Sequence, residues 1–519
     1  LLERAGLIRA PLRDWPFDEV QIARYSNARV PDGSDAVDAQ TWRDLELARY
    51  RSSLTSSTSV FGQQFLHHRL RCGAPPGQRD LTVKQLQEQI GSPTLRAARA
   101  EAFLPLRQAD TEISELLFTR PPAEFPSWIS YMWVLPWVFM FGGAALVATV
   151  LIPATSSTFL AAAAAASLIA FVLMLDVQRR FYSAVTLHQL EARSLRLLLA
   201  TAVTLNLPLA DAARRIHRSI TPVPWLSLLA GLNEYADWFF LANIRRYRQT
   251  SALIDRERAL LQQCFEAVAE AEAELAIAEH LAAAPICCWS QSAAPRELTL
   301  TLAVHPLLAN ATPLDMSFSQ QGALLTGQNG VGKSTLLKIL GVNLVVNRAF
   351  GYCYASSAAL PDGICMTSLN NEDSLEHGES LYISELRRAS ELLAVTSARA
   401  DCICLIDEIF RGTNHVDAVA AAAAVLHALS ERALIVVSSH HLVLAPLLTR
   451  SLVPYYLRLV PASGDAAASR QLVPGVLPES NGIALLVEHG FDGKLEADAI
   501  RIRDWLKTSL LPVAPPPTL

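Results

Sequence analysis

The chain is predicted to fold as a mixed α/β domain of the P-loop NTPase class, placed behind a mostly α-helical core and lever region that a two-helix apolar hairpin interrupts. Three observations predict this. A glycine-rich loop, Gly327-Gln-Asn-Gly-Val-Gly-Lys-Ser334, lies between an apolar run and a helical run; no charged residue occurs between Glu124 and Asp176; and apolar residues three and four apart recur through Gln40–Phe118 and from Ser183 to about Ala284. The divisions that follow are 1–124, an N-terminal region with a helical core segment; 125–182, the hairpin; 183–290, a helical lever; 291–505, the nucleotide domain; and 506–519, a proline-rich tail.

At 519 residues there is room for about three domains. Hydrophobic residues make up 51% and charged residues 18%, an apolar balance to which the hairpin contributes. A net charge of −5 argues against a surface that is basic throughout and wraps nucleic acid, but leaves room for a local basic patch. The eight cysteines include Cys287-Cys288 and Cys402-Ile-Cys404, which lack the spacing of a zinc site and read as thiols of a reducing compartment. The opening Leu-Leu-Glu-Arg carries no secretory pattern.

Ile129–Ile152 and Phe159–Leu175 read as two helices around Pro153-Ala-Thr-Ser-Ser-Thr158. They would be ~36 Å and ~25 Å long, against a hydrocarbon core of about 30 Å. Trp128, Tyr131, Trp133 and Trp137 at one end and Phe181-Tyr182 at the other form an aromatic belt on one face, with Arg120 and Arg179-Arg180 outside it. The expectation is a hairpin in the cytoplasmic membrane with both flanks, and the nucleotide domain, in the cytoplasm; the competing reading is a buried hairpin of a soluble helical domain. Arg214-Arg215 with Arg218, and Arg245-Arg246 with Arg248, are compact basic clusters that either meet phosphates or are solvated helix faces.

Alternating Leu298, Leu300 and Leu302 and the run Ala323–Thr326 read as strands of an α/β sheet, the second leading into the loop and then the helix Thr335–Leu340. In that context Gly327, Asn329, Gly330 and Gly332 let backbone N–H groups curl around phosphates, beside Lys333, Ser334 and Thr335 at the helix N-terminus. Lys333 would reach the β/γ-phosphates of ATP, and Ser334 with Asp407 would hold Mg2+ through oxygen. Cys402–Ile406 is an apolar strand ending in Asp407-Glu408, whose second carboxylate can orient or deprotonate the attacking water. Asp407 lies 74 positions after Lys333, too close for the helical subdomain that transporter-type ABC ATPases insert between these motifs.

These residues resemble the MutS family of ATPases. Asp407-Glu-Ile-Phe-Arg-Gly-Thr-Asn-His-Val-Asp417 is similar to its DEIGRGT…D segment, Ser438-Ser-His-His441 to its ATHY segment, and Ser374-Leu-x-x-Gly-x-Ser-x-Tyr-x-x-Glu385 to its signature loop. Pro474-Gly475 with Ser480-Asn-Gly-Ile483, His305-Pro306 and Val60-Phe-Gly62 resemble further family segments. The resemblance implies that Glu408, with Lys333, supports hydrolysis, that His440 senses the γ-phosphate, and that Ser380 reaches in trans into the partner's site of a homodimer.

The loop itself is closer to ABC ATPases than to the GPNMGGKS of mismatch-repair MutS, and some 120 residues ahead of the hairpin are too few for a mismatch-reading domain and a connector. The expected protein is therefore a membrane-anchored MutS-like ATPase of the mismatch-repair and recombination-related family, with DNA as the default client but no mismatch-reading domain. The rivals are an ABC-like motor serving a membrane-protein partner with no nucleic acid, and an ATP-gated membrane scaffold.

Overall fold

Apolar runs too short for helices, such as Ala323–Leu325, Ile403–Ile406 and Leu434–Val437, become fully buried parallel strands, because a strand covered on both faces needs no polar alternation. The computed structural model describes residues 17–30, 36–151, 157–221, 237, 239–309, 311–327, 330–369, 381–399, 401–460, 469–476 and 493–509. The chain divides into two compact units. One gathers Leu1–Pro31, Ser57–Leu66 and Ser92–Ala276; the other gathers Asp32–Ser56, His67–Gly91 and Ile277–Leu519. The first is helical and the second mixed α/β, so the segment 1–124, expected as one region, contributes to both.

The strands of the second unit are β1 (Cys288–Trp289), β2 (Gln291–Ser292), β3 (Leu298–Ala303), β4 (Leu314–Phe318), β5 (Gly322–Thr326), β6 (Tyr352–Cys353), β7 (Ser357–Leu360), β8 (Ile364–Ser368), β9 (Cys402–Asp407), β10 (Leu434–Ser438), β11 (Leu452–Val460) and β12 (Ser469–Pro474). The main sheet has the order β12-β11-β5-β10-β9-β8, parallel except for the antiparallel edge strand β12. Helices Leu381–Ala398 and His415–Ser430 cover it with a core that includes Leu392, Leu426, Ile406, Ile435 and Val437. Burying each such side chain contributes roughly 1.5–3 kcal/mol.

Two strand expectations are corrected. β3 lies not in the parallel sheet but in a smaller one of order β2-β7-β3-β4. The Leu298, Leu300, Leu302 alternation also breaks, because the register with β4 shifts between Leu300 and Ala303. Leu302 takes φ +50° and turns outward, and Ala303 is buried in its place.

Residues 38–44 dock on the other edge strand, β8. The buried Asp44 carboxylate accepts hydrogen bonds from Thr367 Oγ1 at 2.7 Å and Leu369 N at 2.9 Å, and the Arg388 guanidinium ties Asp38, at 2.7 Å, to the Thr367 carbonyl. These polar groups satisfy one another where burial without partners is costly, and the sequence gives no local sign of this long-range pairing.

In the helical unit, Tyr25, Phe61, Phe118 and Phe265 form an aromatic cluster with ring centroids 5.2–5.8 Å apart. The hairpin helices are Val134–Leu151 and Ser157–Thr204. Residues 129–131 form a 3-10 turn rather than the start of the first helix. The second does not end at Leu175: nothing between Asp176 and Thr204 breaks a helix, and Asp176 and Arg180 pair at 2.7 Å one turn apart. Gly142 lets the two approach, since a Cβ there would lie 2.9 Å from the Ala163 carbonyl; Ser167 Oγ donates to the Phe139 carbonyl at 2.8 Å. Among the described residues one helix, Ala161–Thr204, is long and apolar enough to cross a membrane, with a stretch of mean hydropathy 1.9; the apolar part of its partner, Val134–Ala148, is shorter. The predicted turn falls mostly on 152–156, outside the described residues. Helix Gly493–Ser509 covers the start of the expected tail, and 510–519 lie outside the described residues.

Glu272 makes this helical unit sensitive to pH. Its fully buried carboxylate accepts from Ser59 N at 2.8 Å, Ser59 Oγ at 2.5 Å and Gly62 N at 3.1 Å, and a Cβ on Gly62 would collide with it at 2.8 Å. Burial pushes its pKa up to about 7 although the three hydrogen bonds oppose the rise. The folded state therefore holds the proton more tightly than the unfolded chain, so stability should fall as pH rises from about 4.5 to about 7 and then level off. The expected fall is about 3 kcal/mol. Denaturant titrations of wild type and Glu272→Gln across that window check it; an equal slope in both would remove Glu272 as the cause.

Candidate nucleotide site

The parallel strands end at the same edge, where ligands of open α/β sheets bind. Thr326 ends β5 and donates through Oγ1 to the Tyr455 carbonyl at 3.1 Å. The loop then needs positive φ at Gly330 (+77°) and Gly332 (+105°), conformations that side chains rarely adopt. Gln328 and Asn329 lie outside the described residues. Helix Lys333–Phe350 starts at once, leaving its first N–H groups facing the loop.

Lys333 is buried and folds back, Nζ donating to the Gly327 carbonyl at 3.0 Å. Burial lowers its pKa, and the Glu408 and Asp407 carboxylates nearby counter that effect. Ser334 is exposed and Thr335 half-buried, so the Ser334 hydroxyl is open to a ligand.

β9 and β10 are in register with Asp407 opposite Ser438, and β10 sets Ser438 opposite Leu325 of β5, two residues before Gly327. Asp407 is held by a short hydrogen bond from Ser438 Oγ. Past the strand, Glu408 takes φ +55° and Phe410 φ +59°, strained for residues with side chains. The strain is held in place: Glu408 N donates to the Ser438 carbonyl at 3.1 Å, and Phe410 is fully buried against the Tyr382 ring, 5.9 Å between centroids.

His440 Nδ1 lies 3.2 Å from Glu408 Oε1; a carboxylate only accepts, so the imidazole carries its proton there. This bond, with the charges of His440, Arg411 and Lys333, lowers the Glu408 pKa against the effect of burial. Glu408 is therefore an ionised carboxylate, better suited to orienting water than to keeping its proton. His441 lies between His440, tilted to it at 4.1 Å, and His415, edge-on at 4.8 Å, and burial beside them lowers its pKa to about 4.

Sequence reasoning assigned no role to three residues here. Glu385, buried on helix Leu381–Ala398, accepts from Gly412 N at 3.3 Å and faces Arg411 Nε at 3.6 Å, while Arg411 Nη1 is 3.9 Å from Glu408. Arg470 on β12 covers the loop from the side, its Nε 3.2 Å from where a Gly332 Cβ would stand. Glu385 and Arg411 had a signal, their places in the signature-loop and Asp407–Asp417 motifs; Arg470 reaches the site through a tertiary contact. Ser380 and the rest of 374–380, and the segment 480–483, lie outside the described residues.

A family model described as MutS domain V matches residues 323–504. The chain is similar to the DNA mismatch repair protein MutS of Thermus aquaticus, 30% identical over 268 residues that make up 50% of this chain and 32% of that protein. It is 32% identical over 208 residues to the mitochondrial DNA mismatch repair protein mutS homolog of Sarcophyton glaucum, 38% of this chain and 21% of that one. The MutS of Streptococcus pyogenes is 29% identical over 201 residues, 37% and 23% respectively. The matched part thus spans about a third or less of the length of these relatives.

Proposed function

We propose that this chain, a member of the MutS family by its residues 323–504 and by its likeness to MutS proteins over half its length, is an ATPase that hydrolyses ATP to ADP and phosphate on a P-loop fold. The observation that carries the reading is the meeting of Gly327, Lys333, Asp407, Glu408 and His440 at the ends of β5, β9 and β10. Backbone N–H groups of residues 330–333 bind the phosphates and the Lys333 ammonium neutralises charge that grows on them in the transition state. Glu408 aligns water for in-line attack, and His440 steadies Glu408 through its Nδ1–H. The Ser334 hydroxyl and Asp407 carboxylate are hard oxygen donors of the kind Mg2+ takes. Bound there, the ion would supply charge neutralisation on the phosphates.

Composite sites in a homodimer, completed by Ser380 of the second copy, belong to this proposal, as does anchoring in the cytoplasmic membrane by 129–152 and 159–175 with the ATPase domain in the cytoplasm. The exposed apolar side chains of Phe141, Leu168 and Val172 support the anchor. DNA is the proposed client, supported by the names of the relatives. The test is phosphate release by the detergent-solubilised chain with and without duplex and branched DNA, at low and near-physiological salt. Hydrolysis abolished by EDTA, and DNA stimulation that weakens with salt, are expected. No hydrolysis with magnesium present would sink the ATPase reading, and hydrolysis indifferent to every DNA would sink the client.

A further inference from the structure

Val185, His188, Gln189, Ala192 and Arg196 recur at helical spacing and turn one face of helix Ser157–Thr204 toward a cavity of about 590 Å3. The helix ends at Ile220 and helix Ala242–Arg256 close its other walls. Its size is that of a small-molecule site. Val185, Tyr247 and Leu253 give it an apolar and aromatic wall.

One charged group in it is little used by the protein. Arg196 makes one hydrogen bond, Nη1 to the Ile220 carbonyl at a long 3.4 Å, and among the described residues it pairs with no carboxylate. Among the described residues the remaining donors of its guanidinium fork have no hydrogen bond. Among the described residues the other charges lining the cavity cancel, because Asp237 is ion-paired with Arg246, and Arg196 is left as one net positive charge. Arg215 and Arg218 on the neighbouring helix add to the positive field, whereas Arg214 is paired with Asp211 at 2.7 Å.

We propose that this cavity binds a small phosphoester, its phosphate held by the Arg196 fork and its body against Tyr247 and Leu253. A planar guanidinium favours a phosphate that can accept two parallel hydrogen bonds. The phosphate can come from a soluble ester or from a lipid headgroup. Arg196 lies fourteen residues past Tyr182 on one helix, about 21 Å from the aromatic belt, which favours the soluble source.

The test uses the full detergent-solubilised chain with a non-hydrolysable ATP analogue present in excess, so that the phosphate loop does not take up the probe. Glycerol 3-phosphate is expected to raise Tm saturably, and Arg196→Gln to weaken binding more than about tenfold, with Arg196→Lys keeping part of it. If Arg196→Gln lowers the unliganded Tm, Ala192→Phe, which fills the cavity without changing charge, serves in its place. The second arm reconstitutes the chain in phosphatidylcholine vesicles with and without phosphatidylglycerol. Stabilisation there alone, lost in the same variants, keeps the site and assigns it to lipid. No stabilisation in either arm, or stabilisation that these variants retain, overturns the proposal.

Discussion

Glu408→Gln is expected to lower ATP turnover by roughly 10²–10⁴-fold, the usual worth of a positioned acid–base group, with little loss of nucleotide affinity. The amide keeps the shape of the side chain, the backbone bond from Glu408 N to the Ser438 carbonyl does not depend on the side chain, and His440 Nδ1–H still finds an oxygen to donate to. What disappears is the negative charge that aligns water. Lys333 also loses one of the two carboxylates that oppose the effect of its burial. Single-turnover hydrolysis and equilibrium binding of a fluorescent ATP analogue separate the two effects. A variant that turns over at the wild-type rate refutes the role, and one that no longer binds nucleotide shows that Glu408 holds the site together instead.

Gly412→Ala is expected to cost activity almost as severely, for a reason of packing. A Cβ at Gly412 would stand 2.6 Å from Tyr382 N and 2.9 Å from Tyr382 Cα, both backbone atoms that no rotamer change can move. The segment from Glu408 to Gly412 must then shift. With it goes the strained φ at Glu408 and Phe410 that aims the carboxylate, along with the Gly412 N–H bond to Glu385. A misplacement of about 1 Å near a reacting centre can cost on the order of 10²-fold in rate, and overpacking costs about 1–3 kcal/mol of stability. Turnover and denaturant midpoint measured on the same preparation check both numbers. Glu385→Gln, which keeps an acceptor for Gly412 N–H but loses the charge facing Arg411, should fall between wild type and Gly412→Ala.

The local elements of the site were legible because each is a short stretch with its own physical signature. A loop that needs positive φ shows as glycines, a doubly covered strand as an unbroken apolar run, and the first turn of a phosphate-binding helix as Lys-Ser-Thr after them. β5, β9 and helix Lys333–Phe350 accordingly appear where those signals stand. The reading failed where the pattern was local but the partner was not. Leu302 alternates correctly and still faces outward, because a bulge against β4 resets the register. The second hairpin helix runs on to Thr204 because a change from apolar to charged residues ends an apolar stretch without ending a helix.

By itself, the sequence determined the chemistry available to this protein: where a glycine-rich loop meets a Lys-Ser-Thr helix start, which carboxylates follow a buried strand, and which family the segments belong to. Backbone conformation and apolar periodicity are set by neighbours along the chain, so a linear reading reaches them. Only the tertiary structure decided how the groups are held. The β9–β10 register brings Ser438 to Asp407 and His440 to Glu408, and Glu385 clamps the loop beyond. Residues 38–44 seal edge strand β8 from more than three hundred positions away. Hydrogen bonds between residues so far apart carry no periodicity or composition of their own, and they form only once the sheet has assembled.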